Sequence, residues 1–136
     1  MGLDQGCNDR SYLFGRLLAY AHNIELFMLR QQGEEARGTN AERLQAAFSL
    51  HPARTWHTIR DLLSPYLQRM NRTAYGLKEK LVSEMQEVAS RIPVEEFNNS
   101  PLSELYLLGY DSQLREFYQR KNQNGQQASD ENEEQE

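Results

Sequence analysis

Apolar residues recur at intervals of three and four along most of the chain, and long apolar/polar alternation at intervals of two is absent. The first spacing is the helical period and the second would have marked strands. Phe14, Leu17, Leu18, Ala21, Ile24 and Met28 predict a helix from about Ser11 to Gln32, closed by Gly33. A polar loop over 33–38 follows. Thr39-Asn40-Ala41-Glu42 reads as a capping box that opens a short helix through Leu44, Ala47 and Phe48, ending before His51-Pro52. Pro52 suits the first position of the next helix, where Trp56, Ile59, Leu62 and Leu63 form a stripe. Ser64-Pro65 either kinks that helix or starts another carrying Tyr66, Leu67 and Met70. Leu77, Leu81, Met85, Val88 and Ile92 make the most regular ladder, stopped by Pro93, and Ser100-Pro101 is expected to cap a final helix with Leu102, Leu105, Leu108, Leu114 and Phe117. The expected fold is all-α, an antiparallel bundle of five or six helices joined by short loops and without internal repeats. It occupies residues 11–121, after an N-terminal segment at 1–10.

Two of these apolar helices contain a glycine, Gly15 and Gly109. Glycine inside a helix costs about 1 kcal/mol relative to alanine, so its presence there predicts that another backbone or a large side chain comes very close. Both are read as helix crossing points. With Arg16 and Tyr110 they are assigned to the fold, Arg16 being expected to pair with a carboxylate.

Charge changes the picture at the C-terminus. The net charge is −5, but five of the 20 acidic residues lie after Gly125 with no base among them, which leaves 15 bases against 15 acids in residues 1–125. Residues 122–136 hold no apolar side chain larger than Ala128, and the expectation is a disordered acidic tail. The remaining 38% hydrophobic content suits one core rather than two domains.

Little in the chain suggests catalysis. His22, His51 and His57 do not share metal-ligand spacing on a helix, Cys7 stands alone without a motif-linked base, and no glycine-rich phosphate loop is present. Glu34-Glu35 and Glu95-Glu96 read as solvated loop pairs. No enzyme activity, metal or cofactor is expected. A single cysteine fits a reducing cytoplasm; no apolar run reaches the roughly 20 residues of a membrane span, and Met1-Gly2-Leu3-Asp4 lacks the pattern of a signal peptide.

Binding is better supported. Between Arg43 and Lys80 seven cations face only Asp61 and Glu79. Arg54, Arg60, Arg69, Arg72, Lys78 and Lys80 are the candidate phosphate contacts, which would bind nucleic acid without reading bases. Trp56, Tyr66 and Tyr75 are interleaved with them, as stacking on a single strand would use. The competing reading is that Trp56 is core and the cations form a solvated face.

Three segments carry a resemblance. Tyr12-Leu13-Phe14-Gly15-Arg16-Leu17-Leu18-Ala19, the stretch Ala41-Glu42-Arg43-Leu44 to Pro52-Ala53 with Trp56 and Ile59, and Leu107-Leu108-Gly109-Tyr110-Asp111-Ser112-Gln113 occur in the order seen in the C-terminal helical region of the large subunit of the type I-C (Dvulg) CRISPR surveillance complex, Cascade. Leu44 and Asp111 depart from it, standing where that family commonly has aromatic residues. The resemblance spans about Tyr12 to Tyr118. Because Met1 lies just before the first motif, it implies the separate small subunit made from that region by internal translation. Such a subunit is non-catalytic and helical, packs along the crRNA-bound backbone beside backbone and large subunits and a second copy of itself, and holds the displaced non-target strand of the target DNA. The alternatives are a helical adaptor or regulator that binds only protein, and a small helix-turn-helix protein, for which no base-reading residues are identifiable. Because the tail has no apolar group to bury, a chain truncated after Asn122 is expected to keep the circular dichroism spectrum and melting temperature of its folded body; loss of either on truncation would give the tail a structural role.

Overall fold

A computed structural model describes the backbone of residues 2–134 and the side chains of residues 2–122. It is all-α, with no strand among the described residues. The helices are α1 (Arg10–Gln31), α2 (Asn40–Arg43), α3 (Gln45–Leu50), α4 (Pro52–Thr73), α5 (Tyr75–Ser90) and α6 (Leu105–Glu134), with 3-10 turns at Glu35–Arg37 and Val94–Glu96. The side chains concerned in the tail expectation, beyond Asn122, lie outside the described residues.

α1 is the axis of the molecule. Every residue from Ser11 to Ala21 is buried, so its nearly all-round apolar surface is enclosed rather than shared with water. Asp9 caps it by accepting the Tyr12 N–H, and Gly33 at φ 72° ends it, with the Glu34 N–H reaching back to the Leu29 carbonyl at 2.8 Å. The chain then descends through α2 and α3: Glu25 accepts the Asn40 N–H, and lower down Phe48 meets Phe14 edge-on at 5.9 Å. The capping box at Thr39 and Glu42 is complete. The helix it opens breaks at Leu44, however, giving two short helices where one is expected from sequence.

α4 climbs beside α1 without interruption at Pro65, which settles the Ser64-Pro65 alternative in favour of one helix. Pro52 stands in its first turn, and the Arg54 N–H is satisfied by Asn99 Oδ1 at 2.8 Å, from the loop before α6. After the single residue Ala74, α5 descends antiparallel to α1: Glu84 pairs with Tyr20 near the middle, and Arg91 bonds Asn8 near the start of α1. α6 climbs again. Consecutive passes therefore alternate, as an antiparallel bundle requires, while the first and last lie parallel. Tyr12 faces Gly109, Arg16 faces Gln113, and Tyr20 faces Phe117.

α6 begins later and turns differently from the expectation. Leu102 donates to the Ser49 carbonyl and Ser103 to Ser11 Oγ, so residues 100–103 stay outside the helix and Ser103, rather than Ser100, accepts from its first turn. The buried seam is Tyr106, Gly109, Tyr110, Gln113 and Phe117, of which Tyr106 is half-buried. Leu105 and Leu108, expected in the core, face outward, 41% and 49% exposed. What sets this rotation is the double glycine contact. A methyl group on Gly15 would strike the Tyr106 carbonyl and come within 2.9 Å of the Tyr110 nitrogen, and one on Gly109 would strike the Tyr12 carbonyl.

Buried polar groups are tied into this frame. Arg16 donates through Nε to Gln113 Oε1 at 2.8 Å, so its partner is an amide and not the expected carboxylate. Gln113 donates in turn to Glu116, which with Glu84 holds Arg120, and Glu84 accepts from the Tyr20 hydroxyl. Burial first, and then the Glu84 bond, push the Tyr20 hydroxyl well above its usual range. Burial raises the Tyr110 hydroxyl to about 12. His22, bonded to Thr39 Oγ1 at 2.9 Å, is lowered by burial despite Glu42 at 3.6 Å, while Glu25 is raised by burial despite its backbone bonds.

Two tests follow from this packing. Gly109→Leu is expected to lower stability by about 1–3 kcal/mol or more by overpacking; a higher melting temperature, as helix propensity alone would give, would refute the crossing contact. For His22, the unfolded chain takes up a proton near pH 6.5 and the folded chain only at lower pH, so its contribution is intact at neutral pH and lost as pH falls below that value. His22→Gln should flatten the decline in unfolding free energy as pH falls below about 6.5; an unchanged slope would deny it that role.

Candidate nucleic-acid interface

Four of the six candidate cations lie on α4 and two on α5. A helix advances about 100° per residue, so Arg60 and Arg69, nine positions apart, point to opposite sides of α4. Arg54 and Arg72 share a bearing away from the core but stand about 27 Å apart along the axis, with Asp61 near that face between them. Lys78 and Lys80 likewise flank α5 on different sides. The six do not form one patch.

What the structure does assemble is a corner where α4 passes into α5. Arg69 and Arg72 are one turn apart and exposed, and the Arg69 guanidinium lies 6.0 Å from the Tyr66 ring centroid. Beyond Ala74, Tyr75 is 58% exposed, with Lys78 Nζ 5.9 Å from its ring and 3.1 Å from Glu79. Aromatic faces beside cations suit both halves of a nucleotide, base and phosphate. Trp56, by contrast, is buried and belongs to the core, as the competing reading held. Arg54 and Arg60 lie towards the other end of α4, Arg60 on the wall of an open groove of about 860 Å³ between α4 and α5.

Lys80 belongs to a different place. With Arg30, Arg120 and Lys121 it rims a second groove of about 680 Å³ between α1, α5 and α6, whose lining includes Leu26, Phe27, Leu77, Leu81, Leu114 and Phe117. Three of these four cations lie outside the basic middle of the sequence and only folding brings them together. Their signal is the placing of each beside an apolar residue at helical spacing: Leu26 and Arg30, Leu77 and Lys80, Phe117 and Lys121.

Histidines take no shared site. His22 is on α1, His51 precedes α4, and His57 is exposed on α4. Among the described residues no three His, Cys, Asp or Glu side chains gather as a metal site would need, and no helix is long and apolar enough to cross a membrane.

The architecture is thus a small helical bundle, closed by a glycine-mediated helix pair and bearing an exposed cationic and aromatic corner. The chain belongs to the Cas_Csd1 family of CRISPR-associated proteins, whose model matches residues 1–118, a span that includes both glycines and all six candidate cations. No curated protein matches it.

Proposed function

We propose that this chain is the non-catalytic small subunit of a type I-C CRISPR surveillance complex, corresponding to the C-terminal helical region of the large subunit. It packs along the crRNA-bound backbone, beside the backbone and large subunits and a second copy of itself, and retains the non-target DNA strand displaced from the target. Family membership supports the CRISPR role, and the three sequence motifs support the subtype. The observation that carries strand holding is the corner where exposed Arg69, Arg72 and Tyr75 stand beside half-buried Tyr66 and Lys78. Exchange of a DNA duplex for a guide–target hybrid is nearly balanced in energy, so a few phosphate contacts to the freed strand shift it toward capture.

The second reading, a protein-binding adaptor without nucleic-acid contact, is favoured by the scatter of the six cations around α4 and α5 and by the Lys78–Glu79 ion pair. One experiment separates the two. Replacing Arg60, Arg69, Arg72 and Lys78 together by alanine is expected to leave the bundle folded, because exposed charges contribute little to stability. Target capture by the reconstituted complex should weaken, and the slope of log affinity against log salt should fall by roughly one unit for each lost phosphate contact. Normal assembly with unchanged capture at low and high salt would transfer the reading to the adaptor.

A further inference from the structure

The groove between α1, α5 and α6 has a chemistry that the strand-holding corner does not share. Its floor is largely aliphatic, built from Leu26, Leu77, Leu81 and Leu114 with Phe27 and Phe117. Its rim carries Arg30 from α1, Lys80 from α5, and Arg120 and Lys121 from α6, and no carboxylate is among the lining residues. Arg30 and Arg120 are paired with carboxylates set outside that lining, Glu35 for the first and Glu84 and Glu116 for the second. Lys80 and Lys121 make no ion pair among the described residues. Exposed apolar surface continues from the groove. Leu77 is 38% and Tyr118 66% exposed at its edge, and Leu107, two turns before Leu114 on the same side of α6, is 44% exposed. From Leu107 to Tyr118 this stripe runs about 16 Å, the length of three helical turns.

We propose that this groove is a docking site for an amphipathic helix of a partner protein, about three turns long, apolar along one face and acidic along its flanks. Three helices converge on a trough whose aliphatic floor takes apolar side chains at helical spacing, the mode by which amphipathic helices are held in grooves. The cations standing on all three walls select acidic flanks, and like charge there would be strongly disfavoured. A single DNA strand matches the rim and could stack on Tyr118, but it leaves the leucines of the floor uncovered, whereas an amphipathic helix covers floor and rim together. The proposal is independent of strand holding at the α4–α5 corner.

The test uses the purified full-length chain and a fluorescein-labelled synthetic helical peptide with leucines on one face and glutamates on both flanks, followed by anisotropy. Saturable binding is expected. A counterpart with lysines in place of the glutamates should not bind, and single-stranded oligodeoxythymidine should not displace the acidic peptide. Arg30→Glu with Lys121→Glu should weaken binding roughly tenfold or more, and Leu77→Asp, at a partly exposed position, should abolish it with the circular dichroism spectrum unchanged. Absence of binding, equal binding of the lysine peptide, displacement by the oligonucleotide, or indifference to the double charge reversal would each overturn the proposal. So would a dimer of the chain that Leu77→Asp dissociates, which would give the groove to a second copy. Peptide binding that emerges only after removal of residues 123–136 would give it to the chain's own acidic terminus.

Discussion

The contact on which the rest depends is backbone against backbone, where Gly15 on α1 lies against Tyr106 and Tyr110 of α6 and Gly109 on α6 lies against Tyr12 of α1. Neither helix gains propensity from its glycine, and each loses about 1 kcal/mol to it. In return the axes approach closely enough for carbonyls to lie where a β-carbon would otherwise stand, and this closeness fixes the rotation of both helices. The rotation in turn sets Gln113 against Arg16 and Phe117 against Tyr20. It also turns Leu105 and Leu108 outward, although their apolarity alone would bury them.

Because α1 is enclosed on nearly all sides, its buried polar side chains find their partners inside the protein. Arg16 reaches an amide, Glu25 accepts from the start of α2, and His22 bonds the capping residue of the same helix. These bonds join α1 to α6 at one level and to the start of α2 at another, so register is specified by polar pairs and closeness by glycine. One guanidinium nitrogen of Arg16 has no partner among the described residues, which leaves that pair under-satisfied at the tightest part of the crossing.

Where a helix announces itself by local chemistry, the sequence was legible: the capping box at Thr39 and Glu42, the proline opening α4, the glycine closing α1, and the two crossing glycines all stand where the pattern implies. Failures came where a distant contact overrode a local signal. Ser100-Pro101 looks like a helix start, but Ser49 and Ser11 hold the following residues out of the helix. The ladder of leucines on α6 looks like a core face, but the face is chosen by where Gly109 must sit. The basic middle was visible as composition and not as geometry, since adjacent cations on a helix diverge. The α4–α5 corner keeps only part of that set together, and the cations around the α1–α5–α6 groove come from segments about 40 to 50 positions apart in a chain whose helical turns bring together only near neighbours.

The parallel pairing of the first and last helices also bears on how the chain is made. Arg16 and Gln113 are separated by 97 positions, so the contact that encloses α1 closes one of the longest loops the chain permits. During synthesis α1 emerges before α6 and has no α6 to cover it until nearly all of the bundle has been translated. For that interval its apolar surface is available to chaperones or to neighbouring nascent chains. Whatever shortens the interval, such as faster decoding of the segment before Gly109 or a partner that shelters α1, should raise the yield of folded protein without altering any contact in the finished structure.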